Sequence, residues 1–327
     1  MQRNLVFNIL HKSGLPTVLR HLKRGYITIL SLHRISDERD AFFNPLTPRK
    51  FEELVKYAVE HYTIVSFAEL HEIKTAPKKP VLLFSFDDGY YDFYEFALPI
   101  LTKFNIPSNH NIVNECANSN QPIWTHRLNA IFSHCKTNDL PLEFCLGNKV
   151  LQLRDFNMDW ERFYLAIFTG LLQTPKSTRL QIVESKEQEL SIGTVARMMG
   201  WDEIIECSNN RVEIGSHTYT HDVMSGSLDP KVLEREIVDS KVQIEEKVGQ
   251  VVEVLALPNG QGDSCVDNFV RSAGFKYLLY VDDAANKIGP ELGSDFSVLK
   301  RINIVDESRQ EMILRTELFH SRVRKYV

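Results

Sequence analysis

The sequence predicts an α/β protein with parallel strands. Short apolar runs rich in β-forming residues alternate with helical patterns along most of the chain. The strongest run, Val81–Phe86 (VLLFSF), is nearly all apolar, as a strand buried on both faces should be. Polar clusters follow the C-terminal ends of several runs, where parallel α/β folds place their sites.

The first run is Tyr26 to His33 (YITILSLH), and a helix follows near Pro48–His61, opened by Thr47 and Pro48. After Val81–Phe86, the residues Phe93, Phe96, Ala97, Ile100, Leu101 and Phe104 repeat at helical spacing and predict a helix over 92–104. Pro99 interrupts it and predicts a kink. Ile106–Val113 is a weaker strand, because Asn109, His110 and Asn111 are poor strand formers. From about Glu115 to Ser208 the alternation stops, and Trp124–Phe132, Trp160–Leu172 and Thr178–Met199 read as helices. It resumes with the strand Arg211–Ser216, a helix Lys231–Val248 opened by Asp229-Pro230 and stopped by Gly249, and a strand Val251–Leu257. A helix Asp263–Ala273, strands Lys276–Val281 and Val298–Ile304, and a helix Glu307–Val323 complete the series. Three parts result: an N-terminal amphipathic helical segment at 1–25, a main domain at 26–327, and within it a mainly helical insertion at about 115–208.

The 327 residues are 43% hydrophobic and 25% charged, with net charge −5. This is a soluble, globular composition that speaks against a nucleic-acid binder. The five cysteines are spread along the chain without a C-x-x-C pair and read as reduced thiols, with a disulfide between two of them as the alternative. Residues 1–25 lack a signal-like apolar stretch, and no run approaches the roughly 20 apolar residues of a membrane span. A cytoplasmic location is expected. Two readings of residues 1–25 stand: a surface helix packed on the domain, or a basic amphipathic helix lying on an anionic membrane.

The sharpest chemical signal is Ser85-Phe86-Asp87-Asp88-Gly89-Tyr90. Adjacent carboxylates at the end of a buried strand repel each other unless a cation or a proton sits between them. Gly89 permits the sharp turn that would aim both into one cleft. A loop-capping Asp pair before a helix is the plainer reading. The second signal is Ser216-His217-Thr218-Tyr219-Thr220-His221, whose histidines would share one face if the segment were helical. Two unrelated surface histidines are the plainer reading here, in a chain with 11. Together, two imidazoles and one carboxylate form a three-ligand set that leaves a coordination position open, and the spare carboxylate can act as a base. The turn Ala256-Leu257-Pro258-Asn259-Gly260 follows another strand end and could turn a backbone N–H towards developing negative charge.

SFDDGY, SHTYTH and LALPNG, in that order, resemble the polysaccharide deacetylase family, also called carbohydrate esterase family 4 or the NodB-homology fold. KKPVLLFSFDDGYYDFYEFALPILTKFNIP resembles the family's first motif with its flanks, PIWTHRLNAIF a Trp-containing insertion of some members, and AGFKYLLYVDD the strand after the third motif. The resemblance spans residues 26–114 and 207–305, with the insertion partly matched.

The resemblance implies a distorted (β/α)7 barrel of the NodB-homology type with a helical insertion, and hydrolysis of an N-acetyl group. Asp87 is then the general base, and Asp88, His217 and His221 hold a divalent metal, zinc foremost, with Co2+, Ni2+ or Fe2+ as alternatives. The Asn259 amide would help to form the oxyanion hole, and Tyr90, Pro258, Trp124 and Arg301 are assigned to substrate binding. Two departures stand out. Ala256 occupies the place where many members carry an Arg that orients the base, as in the subgroup acting on exported poly-N-acetylglucosamine. The late Leu-x-x-His motif that supplies a general acid is also missing: His320 lies in the terminal helix and Arg301 occupies the strand where that motif should fall. In a rearranged subgroup a His after the first strand replaces it, and His33 stands at the matching place.

The expected activity is removal of an N-acetyl or other N-acyl group from an amino sugar in a polysaccharide or lipid-linked glycan, in exopolysaccharide or cell-surface glycan biosynthesis. The missing Arg and His keep a second class in view: a non-catalytic metal- or glycan-binding member acting as a scaffold in polysaccharide assembly.

Overall fold

The computed structural model describes residues 2–324, except 74, 76, 194, 195, 290, 291, 293 and 294. The chain forms two compact units, one of 1–37, 46–120 and 198–327, the other of 38–45 and 121–197.

The first unit is built on seven parallel strands: β1 Tyr26–Leu32, β2 Val81–Phe86, β3 Ser108–Ile112, β4 Val212–Ser216, β5 Val254–Ala256, β6 Tyr277–Val281 and β7 Ser297–Asn303. Each pairs with the next in sequence, and β7 returns to β1, so the sheet closes into a barrel. This is the expected (β/α)7 barrel, and its distortion is visible in the ladder. β1 and β2 share six residue pairs, whereas β4 and β5 meet only at Ser216 and Leu255, and β7 and β1 at only two. Where β7 and β1 part, Asn286–Lys287 runs antiparallel to the start of β1. The Asn286 side chain donates to the Lys300 carbonyl and accepts from the Lys300 N–H, standing in for the missing strand neighbour of β7.

Strand periodicity divides the interior from the surround. Ile27, Ile29, Val81, Leu83, Val254, Ala256, Tyr277, Leu279 and Leu299 form one apolar cluster. The alternate residues Leu30, Leu32, Leu82, Phe84, Phe86, Leu255, Leu278 and Ile302 belong to a second, larger core that includes the helices Pro48–His61 and Ser264–Ser272. Further along the same inward rows the lining becomes polar, with Ser85, Asn109, Asn111 and Arg301 all buried. A Cβ at position 215 would collide with the side chains of Asn109 and Asn111, so Gly215 of β4 makes the room this polar layer needs.

The helix expected over 92–104 is a π turn, Phe93–Ala97, followed by α-helix Leu98–Lys103. Pro99 cannot donate to a carbonyl one turn back, and the wider turn before it absorbs the break. The expected terminal helix is two, Arg309–Thr316 and Phe319–Arg324, broken at Leu318 with φ 64°. The N-terminal segment forms helices Gln2–Lys12 and Leu15–Leu22, which bury Phe7 and Leu19 against Leu314. At its end Lys23 is buried. Its Nζ bonds the Tyr62 hydroxyl at 2.7 Å, the Thr316 carbonyl at 2.6 Å and the Thr28 hydroxyl at 3.3 Å, and pairs with the buried Glu317 carboxylate at 3.1 Å.

The second unit contains helices Trp124–Asn138, Trp160–Leu172 and Lys176–Glu189 around a core of Leu128, Phe132, Phe144, Phe163 and Ile167. The sequence pattern places a mainly helical insertion at 115–208. Within the second unit the strands Glu143–Leu146 and Lys149–Gln152 also pair as a hairpin, and the helix expected over 178–199 ends at Glu189.

Candidate metal centre

The polar clusters meet at the C-terminal ends of the barrel strands. Asp87 and Asp88 follow β2, where Asp88 takes φ 77° and Gly89 φ 88°. Both carboxylates are buried. His217 and His221 follow β4, but not on a helix: the segment is an irregular loop with Thr218 at φ 65° and His221 at φ 59°. A β-branched residue in the left-handed region is strained, and such strain persists only where surrounding bonds hold it. Those bonds are present. The buried Glu236 carboxylate accepts from the Thr220 N–H at 2.8 Å and the Thr220 hydroxyl at 2.6 Å. The Thr218 hydroxyl accepts from the His221 N–H, and Ser216 Oγ from the Thr218 N–H.

The loop brings Nε2 of His217 and His221 to 3.4 and 3.5 Å from Asp88 Oδ1. Two donors each about 2.0–2.1 Å from a tetrahedral centre stand about 3.4 Å apart, so the spacing suits a shared divalent ion such as zinc. His217 Nδ1 lies 2.8 Å from the Ala256 carbonyl. An N–H there fixes the tautomer and leaves the Nε2 lone pair for a cation. Asp88 Oδ1 is buried without a hydrogen bond, and burial, reinforced by Asp87, pushes the Asp88 carboxyl well above the usual carboxylate range. A bound cation would relieve both. Among the described residues one other carboxylate–histidine cluster exists, Glu307, Glu311 and His320, but Arg3 and Arg315 already neutralise it.

Asp87 is held differently. Its Oδ1 accepts from Asn111 Nδ2 and from the Arg301 guanidinium, both at 2.8 Å, while Oδ2 faces His217 Nε2 at 4.0 Å. Burial pushes this carboxyl up, but Arg301, His217 and His33 together outweigh it, leaving Asp87 well below the usual range. One oxygen is anchored and the group stays ionised, which suits a base. Arg301, which the resemblance assigns to substrate binding, has a fully buried side chain bound to Asp87 and, at 3.3 Å, to Ser85 Oγ. The sequence marks Asn111 only as a poor strand former and gives it no part in the site. The only hint was the polar run Ser108-Asn109-His110-Asn111 in a strand position, whose asparagines extend this network: Asn111 also donates to Ser85 Oγ, and Ser85 donates to Asn109.

His33 follows β1, half-buried, close enough to feel the charges of Asp87, Arg301 and His217; burial lowers its pKa to about 4. Asn259 follows β5, exposed on a turn at φ 55° beside the buried Pro258. Tyr90 is buried with the Arg34 guanidinium 5.3 Å from its ring centre, and Arg34 pairs with Asp92 at 2.7 Å. Trp124 lies in the second unit, stacked on Phe168 with Arg179 4.8 Å from its ring.

A family model described as polysaccharide deacetylase matches residues 170–278, a stretch that contains SHTYTH and LALPNG. Solved structures share the fold. The Streptococcus pyogenes deacetylase PplD, in complex with acetate, is 17% identical with TM-score 0.58 over 89% of this chain and 98% of that one. IcaB from Ammonifex degensii is 15% identical with TM-score 0.56 over 90% and 97%. A de-N-acetylase from Aggregatibacter actinomycetemcomitans is 16% identical with TM-score 0.53 over 92% and 100%. No curated protein sequence matches the chain.

Proposed function

From the fold and family signature of the polysaccharide deacetylases, we propose that this chain is a divalent-metal-dependent hydrolase. It removes an N-acetyl, or a related N-acyl, group from an amino sugar of a polysaccharide or lipid-linked glycan, in the assembly of exopolysaccharide or another cell-surface glycan. The observation that carries this reading is the division of labour between neighbours: Asp88 joins the two histidines, while Asp87 is anchored on one oxygen and left ionised.

When bound, a divalent ion polarises the amide carbonyl and makes a water molecule acidic near neutral pH. Asp88, His217 and His221 would hold it. Asp87, with Oδ1 fixed by Asn111 and Arg301, uses Oδ2 to take a proton from the attacking water. The Asn259 amide supplies a donor for the oxyanion. His33 hands a proton to the leaving amine. Its pKa of about 4 leaves it neutral at pH 7, so the proton it delivers is the one Asp87 takes from the water, passed on to His33 before the C–N bond breaks. The products are a free amino sugar and acetate.

Acetate release from N-acetylated chitooligosaccharides and lipid-linked sugars, with and without a chelator, tests the reading. Release should stop with chelator and return with added metal. Asp87→Asn should keep the metal and lose turnover, and His33→Ala should lower kcat more than it raises KM. Full turnover in Asp87→Asn would reject the mechanism.

A further inference from the structure

The outward side of the two N-terminal helices plays no part in the site. Leu5, Val6 and Ile9 on Gln2–Lys12 are 61%, 52% and 60% exposed, and Val18 and Leu22 on Leu15–Leu22 are both 57% exposed. With Tyr26 they make six of the sixteen exposed large apolar residues among those described, gathered within residues 5–26 while the rest are scattered. Clustering of this kind marks an interaction surface, whereas single exposed apolar residues are ordinary.

The helices are not loose. Both bury their other faces in one cluster, where Phe7, Leu10, Leu15 and Leu19 pack on Leu314 and Phe319. The buried Lys23–Glu317 pair pins the segment where it enters β1. The exposed rows therefore look away from a common base and are held in place before any partner arrives, so little ordering entropy is lost on docking.

Charge selects the partner. The chain as a whole carries −5, yet no Asp or Glu occurs before Asp37. Of the six Lys and Arg that precede it, Arg3 pairs with Glu311, Arg20 and Lys23 with Glu317, and Arg34 with Asp92, so the charge offered outwards comes from Lys12 and Arg24. Lys12, which ends the first helix, and Arg24, in the turn after the second, are exposed. A second copy docked on the same face would bring like charges together with no acidic residue in the segment to offset them. An apolar row flanked by cations instead fits the boundary of an anionic bilayer, where side chains such as Leu and Ile enter the headgroup region and Lys and Arg meet lipid phosphates. No helix among the described residues is long and apolar enough to cross a membrane, so the contact would lie on the surface.

We propose that the outward faces of Gln2–Lys12 and Leu15–Leu22 seat this protein on an anionic lipid surface. The inference does not depend on the catalytic reading. It places the barrel at a lipid surface, whatever its chemistry there.

The test is co-sedimentation of the full chain with phosphatidylcholine vesicles, with and without phosphatidylglycerol, at low and high salt. Binding should require phosphatidylglycerol and weaken with salt. Lys12→Ser with Arg24→Ser should lower the partition roughly thirtyfold, and Ile9→Glu with Leu22→Glu should abolish it. Melting temperature should stay unchanged in both pairs, separating a lost surface from a lost fold. Absence of wild-type binding to phosphatidylglycerol vesicles would overturn the proposal. So would equal binding by the Ile9→Glu/Leu22→Glu protein, or a concentration-dependent dimer that this variant abolishes without any vesicle binding.

Discussion

Replacing Arg301 by Met removes one charge and its donor from a side chain of similar length. In the structure that guanidinium is fully buried, 2.8 Å from Asp87 Oδ1, and among the described residues it shares this oxygen only with the neutral amide of Asn111. An ion pair near 4 Å is worth about 4 kcal/mol at an effective dielectric near 20. Removing one partner of a buried pair costs about 3–5 kcal/mol, because the other charge is left uncompensated. The variant can relieve part of this by letting Asp87 take up a proton, and a protonated Asp87 is no longer a base. Stability should therefore fall in urea melts, and kcat on an N-acetylated oligosaccharide should fall about 100-fold at neutral pH, a modest share of what a placed base supplies. The acid limb of the rate–pH profile should move upwards. KM should hardly change, since Arg301 has no exposed surface with which to touch substrate. Arg301→Lys keeps the charge without the planar fork and should recover part of the rate. A raised KM at constant kcat would return Arg301 to substrate binding, and an unmoved acid limb would refute its hold on Asp87.

Three further outcomes are expected. Asp88→Asn should lose bound metal by elemental analysis yet leave the metal-free protein no less stable, since burial and Asp87 both oppose a charge there; undiminished metal content would contradict the ligand set. Burial lowers His110 from 6.5 to about 3, so between those values the unfolded chain holds a proton that the folded chain refuses. Stability should thus be full above about pH 6.5 and decline as pH falls towards 3, and His110→Phe should flatten this slope in urea melts taken from neutral to acid pH, while losing about 1–3 kcal/mol throughout for the unpaired Gly89 N–H. Lys23→Met should cost about 3–5 kcal/mol, and the double change with Glu317→Leu should recover much of it; a cost as small as that of a surface substitution would show the pair to be unimportant.

The barrel was legible because its strands obey simple rules. Val81–Phe86 is apolar throughout and buried throughout. β3 was harder to read, because its residues line the part of the barrel where the interior turns polar, and there satisfied hydrogen bonds replace strand propensity. The two histidines were found, but helical spacing was the wrong reason for their meeting. Left-handed backbone at Thr218 and His221 brings them together, and periodicity carries no sign of that. Arg301 was noticed for the strand it occupies, and its partner Asp87 lies 214 positions away, a distance over which residue patterns are silent. The hairpin of the second unit had an audible cue, Gly147-Asn148 between two short β-forming runs, that was masked by the helical character of its surroundings.

The pairing of Lys23 with Glu317 joins positions near the two extremes of the barrel domain, and β1 completes its ladder only against β7. During synthesis Lys23 therefore waits for Glu317, and the open side of β1 waits for Ser297–Asn303. A chain halted before Ser297 would lack both the carboxylate for this lysine and the strand that closes the sheet, leaving an uncompensated charge and an open β edge.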